Sequence, residues 1–99
     1  MKDRLLEMLK AVSRERPLDR YEAATELFIS EREVRRLIAE LREQGVRVCS
    51  DSRGRGYWVA RDEHDYKQFR AEYVSRATKI FKAVRAMDGV AEGQIGGLV

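Results

Sequence analysis

The hydrophobic pattern of this chain first changes its period at Gly45. Before that glycine, apolar residues recur three and four positions apart, which is the spacing of amphipathic helices. After it, residues 46–48 alternate as strands do, residues 57–59 read YWV, which is typical of a strand, and the intervening residues 52–56 read SRGRG, a sequence typical of turns. The pattern therefore predicts a helical first part followed by a β-hairpin with a basic tip.

Two helices are predicted before residue 28. The first covers residues 3–14 and ends before Pro17, because proline cannot continue a helix. The second has Asp19 as its N-cap and extends to about Leu27. Its inward-facing residues are expected to be Tyr21, Ala24 and Leu27.

A third helix is predicted over residues 30–44. Ser30 and Glu33 form a capping box at its start, and Gly45 ends it. Helical spacing separates an apolar face from an arginine-bearing face. The two faces carry, respectively, Val34, Leu37, Ile38 and Leu41, and Arg32, Arg36 and Ala39.

The arginines of this third helix differ in the carboxylates within their reach. Glu31 is spaced to pair with Arg35, and Arg36 has carboxylates three residues before it and four residues after it. Arg32 has no carboxylate three or four residues away. A solvated helix laced with ion pairs accounts for Arg35 and Arg36 but not for Arg32, which favours a functional contact on this face.

The net charge of +3 comes from the middle of the chain. Residues 1–29 and 62–99 each hold six basic and six acidic residues, whereas residues 30–61 hold eight arginines and five acids. Arginine outnumbers lysine fifteen to five, which suits two-pronged recognition of phosphates and guanines. Charge alone leaves a nucleic-acid surface and a solvated face about equally favoured.

Residues 27–59, LFISEREVRRLIAELREQGVRVCSDSRGRGYWV, resemble the N-terminal DNA-binding domains of bacterial regulators of the DeoR, WYL-type and biotin-operon-repressor kinds. The resemblance covers roughly residues 1–61 and implies a winged helix-turn-helix, with three helices and a β-hairpin wing. Phe28 departs from the family pattern, which usually has glycine in the turn between helices two and three. The ligand-sensing domain of many such regulators has no counterpart here, so no small-molecule effector is expected.

The resemblance and the charge pattern together indicate sequence-selective binding of double-stranded DNA by a small transcriptional or prophage-type regulator. Recognition helix 30–44 would lie in the major groove, with Arg32 and Arg36 at base edges and Arg35 on a phosphate. The wing, residues 52–56, would contact the backbone or minor groove. The expected DNA-binding residues are Ser30, Glu31, Arg32, Arg35, Arg36, Arg53 and Arg55.

The SRGRG segment has two other interpretations. A phosphate-binding loop for a nucleotide needs a helix directly after it, and a strand follows instead. A turn with merely solvated arginines stays possible from sequence alone. In the strand that follows, Tyr57 and Val59 are expected to face the core, and Trp58 is expected on the opposite face. There it would lie either under the last helix, which is the favoured alternative, or against DNA.

A long fourth helix is predicted over residues 62–88, because no glycine or proline occurs between its expected N-cap, Asp62, and Met87. Its apolar stripe is longer than one small domain can cover, so we expect a homodimer. The expected dimer contacts are Tyr73, Ile80, Phe81 and Val84. Residues 89–99 include four glycines and are expected to form a flexible tail. The competing hypothesis is a protein-interaction scaffold that acts through this helix.

Other classes of protein have little support in the sequence. A single histidine, His64, and a single cysteine, Cys49, provide no catalytic or metal-binding constellation, so we expect neither an enzyme nor a cofactor. No apolar run of about 18 residues and no signal-peptide core occurs, which favours the cytoplasm over a membrane. RNA binding would favour several exposed aromatic residues, and only Trp58 is a candidate.

Overall fold

The computed structural model describes residues 1–96, which form four helices and a three-stranded antiparallel sheet. The expected fold class, α+β and mostly helical with a long C-terminal helix, is confirmed at this level. Residues Met1–Phe69 form one compact unit, and the residues from Arg70 onward form a second. In chain order the elements are α1 (Lys2–Lys10), β1 (Leu18–Asp19), α2 (Arg20–Leu27), α3 (Glu31–Glu43), β2 (Val48–Ser50), β3 (Gly56–Val59) and α4 (Glu63–Gly96).

Helix α1 is shorter than its pattern predicts, since it ends at Lys10 instead of four residues later. Val12 leaves the helical path and packs in a hydrophobic cluster that contains Trp58. The backbone N–H groups of Ser13 and Arg16 donate to each other's carbonyl oxygens, at 3.3 and 3.1 Å. A local turn therefore replaces the last turn of the expected helix.

Helix α2 begins where the sequence predicts. The Asp19 carboxylate accepts hydrogen bonds from the backbone N–H groups of Tyr21 (2.9 Å) and Glu22 (3.3 Å). The prediction that Tyr21 faces inward is wrong, because its side chain is 60% exposed. Tyr21 lies roughly a third of a turn around the helix from the centre of the buried face. That face carries Ala23, Ala24 and Leu27.

The turns after α2 and α3 use the same left-handed backbone. Phe28 has a φ of 57° and Gly45 has a φ of 91°. Phe28 thus adopts a conformation that favours glycine, and its side chain is 92% exposed. In both turns an N–H donates to the carbonyl oxygen five residues earlier. These hydrogen bonds, both 3.0 Å long, join Ile29 to Ala24 and Val46 to Leu41.

Helix α3 agrees with the sequence pattern at both ends and on both faces. The Ser30 hydroxyl accepts a hydrogen bond from the Glu33 N–H at 3.0 Å, and Gln44 and Gly45 follow the last turn. The four apolar residues expected on the inner face are buried, and Arg32 and Arg36 are exposed on the outer side. The buried residues are Val34, Leu37, Ile38 and Leu41.

The sheet contains a strand that the sequence pattern does not predict. Strand β1 pairs antiparallel with β3, so the strand order is β1-β3-β2. β1 is two residues long, which is too short to show an alternating pattern. Strand β2 begins at Val48, two residues later than predicted. Its register with β3 is Val48↔Val59, Cys49↔Trp58 and Ser50↔Tyr57.

Neighbouring residues of β3 enter two different hydrophobic clusters. Tyr57 packs in the main core with buried residues of α1, α2 and α3. Trp58 is 1% exposed and packs with Cys49 and Phe69 in a smaller cluster. Because Phe69 belongs to α4, the expected packing of Trp58 under the last helix is confirmed.

Asp65 anchors the first turns of α4 to the smaller cluster. Its carboxylate accepts hydrogen bonds from Arg14 Nε (2.8 Å), Trp58 Nε1 (3.0 Å) and the Arg61 N–H (3.1 Å). The Arg14 guanidinium also lies over the Trp58 ring, 4.8 Å from its centroid. Burial opposes ionisation of Asp65, but the hydrogen bonds from Arg61, Arg14 and Trp58 outweigh it and lower the pKa of the carboxyl.

Helix α4 extends further than the sequence predicts. It starts after Asp62, which caps it, and continues to Gly96 instead of ending near Met87. Of residues 89–99, expected to form a flexible tail, the last three lie outside the described residues. None of the helices in the described part of the chain combines the length and apolarity that a membrane crossing needs.

Candidate nucleic-acid interface

The first turns of α3 present three exposed arginines. Ser30 caps the helix, and the apolar face of α3 packs into the core. This packing leaves Arg32, Arg35 and Arg36 on the solvent side. All three positions therefore agree with an exposed, arginine-bearing helix face.

Arg32 and Arg35 have no carboxylate partner among residues 1–89, whose side chains the structure describes. For Arg32 this result agrees with the sequence pattern. For Arg35 the predicted pair with Glu31 is wrong, because Glu31 Oε1 accepts a hydrogen bond from Arg20 Nε at 3.0 Å. A side chain from α2 therefore takes the carboxylate that helical spacing assigns to Arg35.

Arg36 is held by two carboxylates, as predicted. Its Nε and Nη2 donate to the two oxygens of Glu33, at 2.8 and 2.5 Å, and its Nη1 donates to Glu40. The hydrogen bond with Glu33 raises the pKa of Arg36 and lowers the pKa of Glu33. Both pairs are exposed, so water screens them and an incoming anion can compete for the guanidinium.

Asp51 organises the loop between β2 and β3, residues 51–55, which we call the β2–β3 loop. Its Oδ1 accepts hydrogen bonds from the N–H groups of Arg53 (3.1 Å) and Arg55 (3.0 Å), and its Oδ2 accepts one from Gly56 (3.1 Å). Gly54 has a φ of 66°, and its N–H donates to the Asp51 carbonyl oxygen at 2.9 Å. The sequence signal for this role is an aspartate at the start of a glycine-containing turn.

The two arginines of the β2–β3 loop differ in their contacts. Arg55 Nε donates to Asp19 Oδ1 at 3.1 Å, whereas the exposed Arg53 guanidinium has no partner in the described part of the chain. Burial opposes ionisation of Asp19, but hydrogen bonds from Arg55 and from the backbone of Glu22 and Tyr21 outweigh it and lower its pKa. The exposed arginines of α3 and the loop that have no carboxylate partner in the described part of the chain are therefore Arg32, Arg35 and Arg53.

Arg20 connects α3 to the β2–β3 loop. Its Nε donates to Glu31, the first residue of α3, and its Nη1 donates to the Gly54 carbonyl oxygen at 3.1 Å. Its backbone N–H donates to the Arg55 carbonyl oxygen at 2.9 Å. Arg20 therefore links the two groups of predicted DNA-binding residues. Arg20 itself is not among the residues that the sequence predicts for DNA binding. One feature of the sequence could have indicated the role of Arg20. It is a cation at the first position of a helix, where the helix dipole disfavours positive charge unless a nearby anion compensates.

Cys49 and His64 contribute little to a reactive site. Cys49 is fully buried, and burial raises the pKa of its thiol to about 11, so the thiol stays protonated at neutral pH. His64 is exposed in the first turn of α4. Among residues 1–89, whose side chains are described, no three His, Cys, Asp or Glu side chains group as a metal site requires.

The second unit exposes an apolar stripe on α4. Every apolar side chain expected at the dimer contact is exposed in this single chain, including Ile80 at 59% and Phe81 at 67%. Tyr73, Ala77, Ile80, Val84 and Met87 follow one another at alternating steps of four and three residues. This alternation is the seam spacing of paired helices.

The assembled surface thus consists of the first turns of α3 and the β2–β3 loop, joined by Arg20. Its exposed, unpaired groups are guanidiniums, which bind phosphates and base edges through two parallel hydrogen bonds. Comparison with protein-family models, with curated proteins and with solved structures finds no match for this chain. The chemistry of the surface itself is the basis for assigning its ligand.

Proposed function

We propose that this protein binds double-stranded DNA in a sequence-selective manner, as a small winged helix-turn-helix regulator of the transcriptional or prophage type. One observation carries the proposal: Arg32, Arg35 and Arg53 are exposed and lack carboxylate partners in the described chain. They lie on α3 and the β2–β3 loop, which Arg20 joins. Unpaired guanidiniums on a surface where neighbouring arginines are ion-paired favour a polyanionic partner. A DNA-binding role also agrees with the expected cytoplasmic location.

In this proposal α3 is the recognition helix and enters the major groove. Arg32, in the first turn, donates to base edges, and guanine is the preferred partner of its two-pronged guanidinium. Arg35 contacts a flanking phosphate. Arg36 has to exchange two carboxylates for a base contact, so we rank it below Arg32. Ser30 and Glu31 lie at the helix start, where Ser30 caps the helix and Glu31 acts through its bond to Arg20.

The β2–β3 loop is the wing in this proposal. Its Arg53 guanidinium, which no described side chain holds, contacts the DNA backbone or a narrow minor groove. Arg55 reaches the same DNA only by exchanging its bond to Asp19, so we expect its contribution to be smaller. The wing therefore adds affinity for DNA of any sequence, and α3 adds the preference among sequences.

We also propose that the protein acts as a homodimer through the apolar stripe of α4. Tyr73, Ile80, Phe81 and Val84 of one copy would pack against the same residues of a second copy about a two-fold axis. Two recognition helices could then contact half-sites about 34 Å apart, or a multiple of that distance, in a near-palindromic site. Pairing would supply the affinity that one small domain lacks.

The test is binding to mixed genomic DNA fragments at several salt concentrations. We expect micromolar or tighter binding with a steep negative salt slope. Arg32→Ala should lose about 1–3 kcal/mol on the preferred site and reduce the preference among sites, because it removes a base contact. Arg53→Ala should weaken binding to all sequences alike and reduce the salt slope by about one unit, because it removes a phosphate contact.

Arg4→Ala is the matched control, since it removes one exposed arginine from α1 and leaves α3 and the loop intact. It should change binding far less than either variant. Equal losses for all three variants would contradict the assigned roles. Absence of wild-type binding at low salt would overturn DNA binding and favour the alternative, a scaffold that acts through α4.

A further inference from the structure

We propose that Arg20 is a positioning residue for the DNA-contacting surface: it fixes the distance between the start of α3 and the tip of the β2–β3 loop. This inference rests on the proposed function. The Arg20 guanidinium donates to Glu31 at 3.0 Å and to the Gly54 carbonyl oxygen at 3.1 Å. One planar group therefore bridges the two elements that carry the unpaired arginines.

The bridge is attached to rigid points at both ends. Glu31 is the first residue of α3, whose inner face lies in the main core. The Gly54 carbonyl oxygen also accepts a hydrogen bond from the Tyr57 hydroxyl at 2.8 Å, and Tyr57 is buried in the same core. The Arg20 N–H adds a third attachment, to the Arg55 carbonyl oxygen. The loop tip is thus held both from the core and from α3.

Arg20 is better placed to organise this surface than to bind DNA itself. Its side chain is 23% exposed, and its Nε and Nη1 already have acceptors. Arg53 on the loop is exposed and has no partner in the described residues. A phosphate would find Arg53 available, whereas it would have to break the bridge to reach Arg20.

Arg20 also determines which arginine of α3 stays available. Glu31 and Arg35 are four residues apart on α3, a spacing at which they would pair if Glu31 were released. While Arg20 holds Glu31, Arg35 remains without a carboxylate among the described residues. Loss of the bridge should therefore loosen the loop and also let Glu31 pair with Arg35. Both effects would weaken DNA binding.

Arg20→Lys is the sharpest variant, because lysine keeps the positive charge but cannot place two donors in one plane. In the free protein, we expect amide hydrogen exchange of Gly54 and Arg55 to become severalfold faster in this variant, with no change at core positions such as Val48. A lysine at this position can still pair with Glu31, so Arg35 stays available and no phosphate contact is removed. Affinity for the preferred DNA should therefore fall about tenfold with an unchanged salt slope. Arg16→Lys, an exposed arginine outside the bridge, is the matched control and should change neither measurement.

The two measurements separate this inference from the proposed function. Unchanged exchange of Gly54 and Arg55 in Arg20→Lys would overturn the bridge, whatever the DNA result. A salt slope reduced by about one unit in the same variant would instead make Arg20 a direct phosphate contact and overturn its positioning role. Faster exchange together with absence of DNA binding by the wild type would overturn the proposed function and support the bridge as a structural link.

Discussion

At the residue scale, the arginines of this surface differ in whether a carboxylate holds the guanidinium. The pairing of Arg36 with carboxylates three and four residues away follows from helical spacing, so the sequence predicts it. The bond between Arg20 and Glu31 joins two helices and residues eleven positions apart, and no local spacing indicates it. Arg35 lacks a carboxylate in the described chain for that reason. Tertiary contacts therefore decide which cations the surface offers to a ligand.

Asp65 is the residue whose charge should matter most to stability. Asp65→Asn removes the charge that Arg14 faces and turns an amide N–H₂ group toward existing donors, so we expect a loss of about 1–3 kcal/mol in the free energy of unfolding. Urea denaturation at pH 7 measures this loss. Glu63→Gln, which breaks an exposed pair with Arg47, is the control and should have a small effect.

The contribution of Asp65 should also depend on pH in a defined direction. Its pKa is lowered from the ordinary value of 3.8, so the unfolded chain binds its proton at higher pH than the folded protein does. The stabilisation is therefore complete above about pH 5 and decreases as the pH falls through 4 and below. The difference in unfolding free energy between wild type and Asp65→Asn should shrink over that range. A difference that stays constant down to pH 3 would contradict this assignment.

At the element scale, boundaries could be predicted where a local chemical signal marks them. Asp19 caps α2, Ser30 caps α3 and Gly45 follows α3, and all three positions are confirmed. The early end of α1 and the existence of β1 have no such signal. The first depends on Val12 packing beside Trp58, and the second on a two-residue pairing with β3. Both depend on partners about forty residues away, which spacing along the chain does not reveal.

The tip of the β2–β3 hairpin allows a comparison between two glycines. A Cβ on Gly56 would lie 2.8 Å from Asp51 Oδ2 and 2.8 Å from Pro17 Cγ, so Gly56→Ala should cost about 1–3 kcal/mol. A Cβ on Gly54 would meet open space, and its φ of 66° alone should make Gly54→Ala cost about 1 kcal/mol. Chemical denaturation of the two variants measures both losses. A larger loss for Gly54→Ala would show that backbone conformation, and not close approach, limits this turn.

At the scale of the whole molecule, the chain divides at Phe69 into a unit with its own core and a helical unit with an exposed apolar stripe. A stripe of this kind is costly to leave in water, which is the physical reason for expecting a second copy. The sequence could predict the stripe, because its spacing is local. The packing of Trp58 under this helix could also be predicted, but not that Asp65 and Phe69 are the residues that make the contact, since no local spacing indicates it.

The dimer is tested by a charge placed on the stripe. Wild type should sediment as a dimer at tens of micromolar, and Phe81→Asp should sediment as a monomer, because the aspartate would be buried without a partner. Ser75→Asp adds the same charge on the polar side of α4, opposite the stripe, and should remain dimeric. A monomeric wild type at this concentration would exclude the homodimer and leave the stripe as a surface for a different protein.

Trp58 gives this protein an intrinsic optical reporter. It is the single tryptophan of the chain, it is almost fully buried, and its indole N–H is bonded to Asp65 at 3.0 Å. The fluorescence emission of Trp58 should therefore be blue-shifted while the first turns of α4 cover the sheet. It should shift to the red when those turns detach. Because Tyr57, and not Trp58, contacts the loop tip, rearrangement of the β2–β3 loop alone should leave the emission unchanged. A measurement of intrinsic tryptophan fluorescence can thus distinguish detachment of the first turns of α4 from a movement of the loop, without any added label.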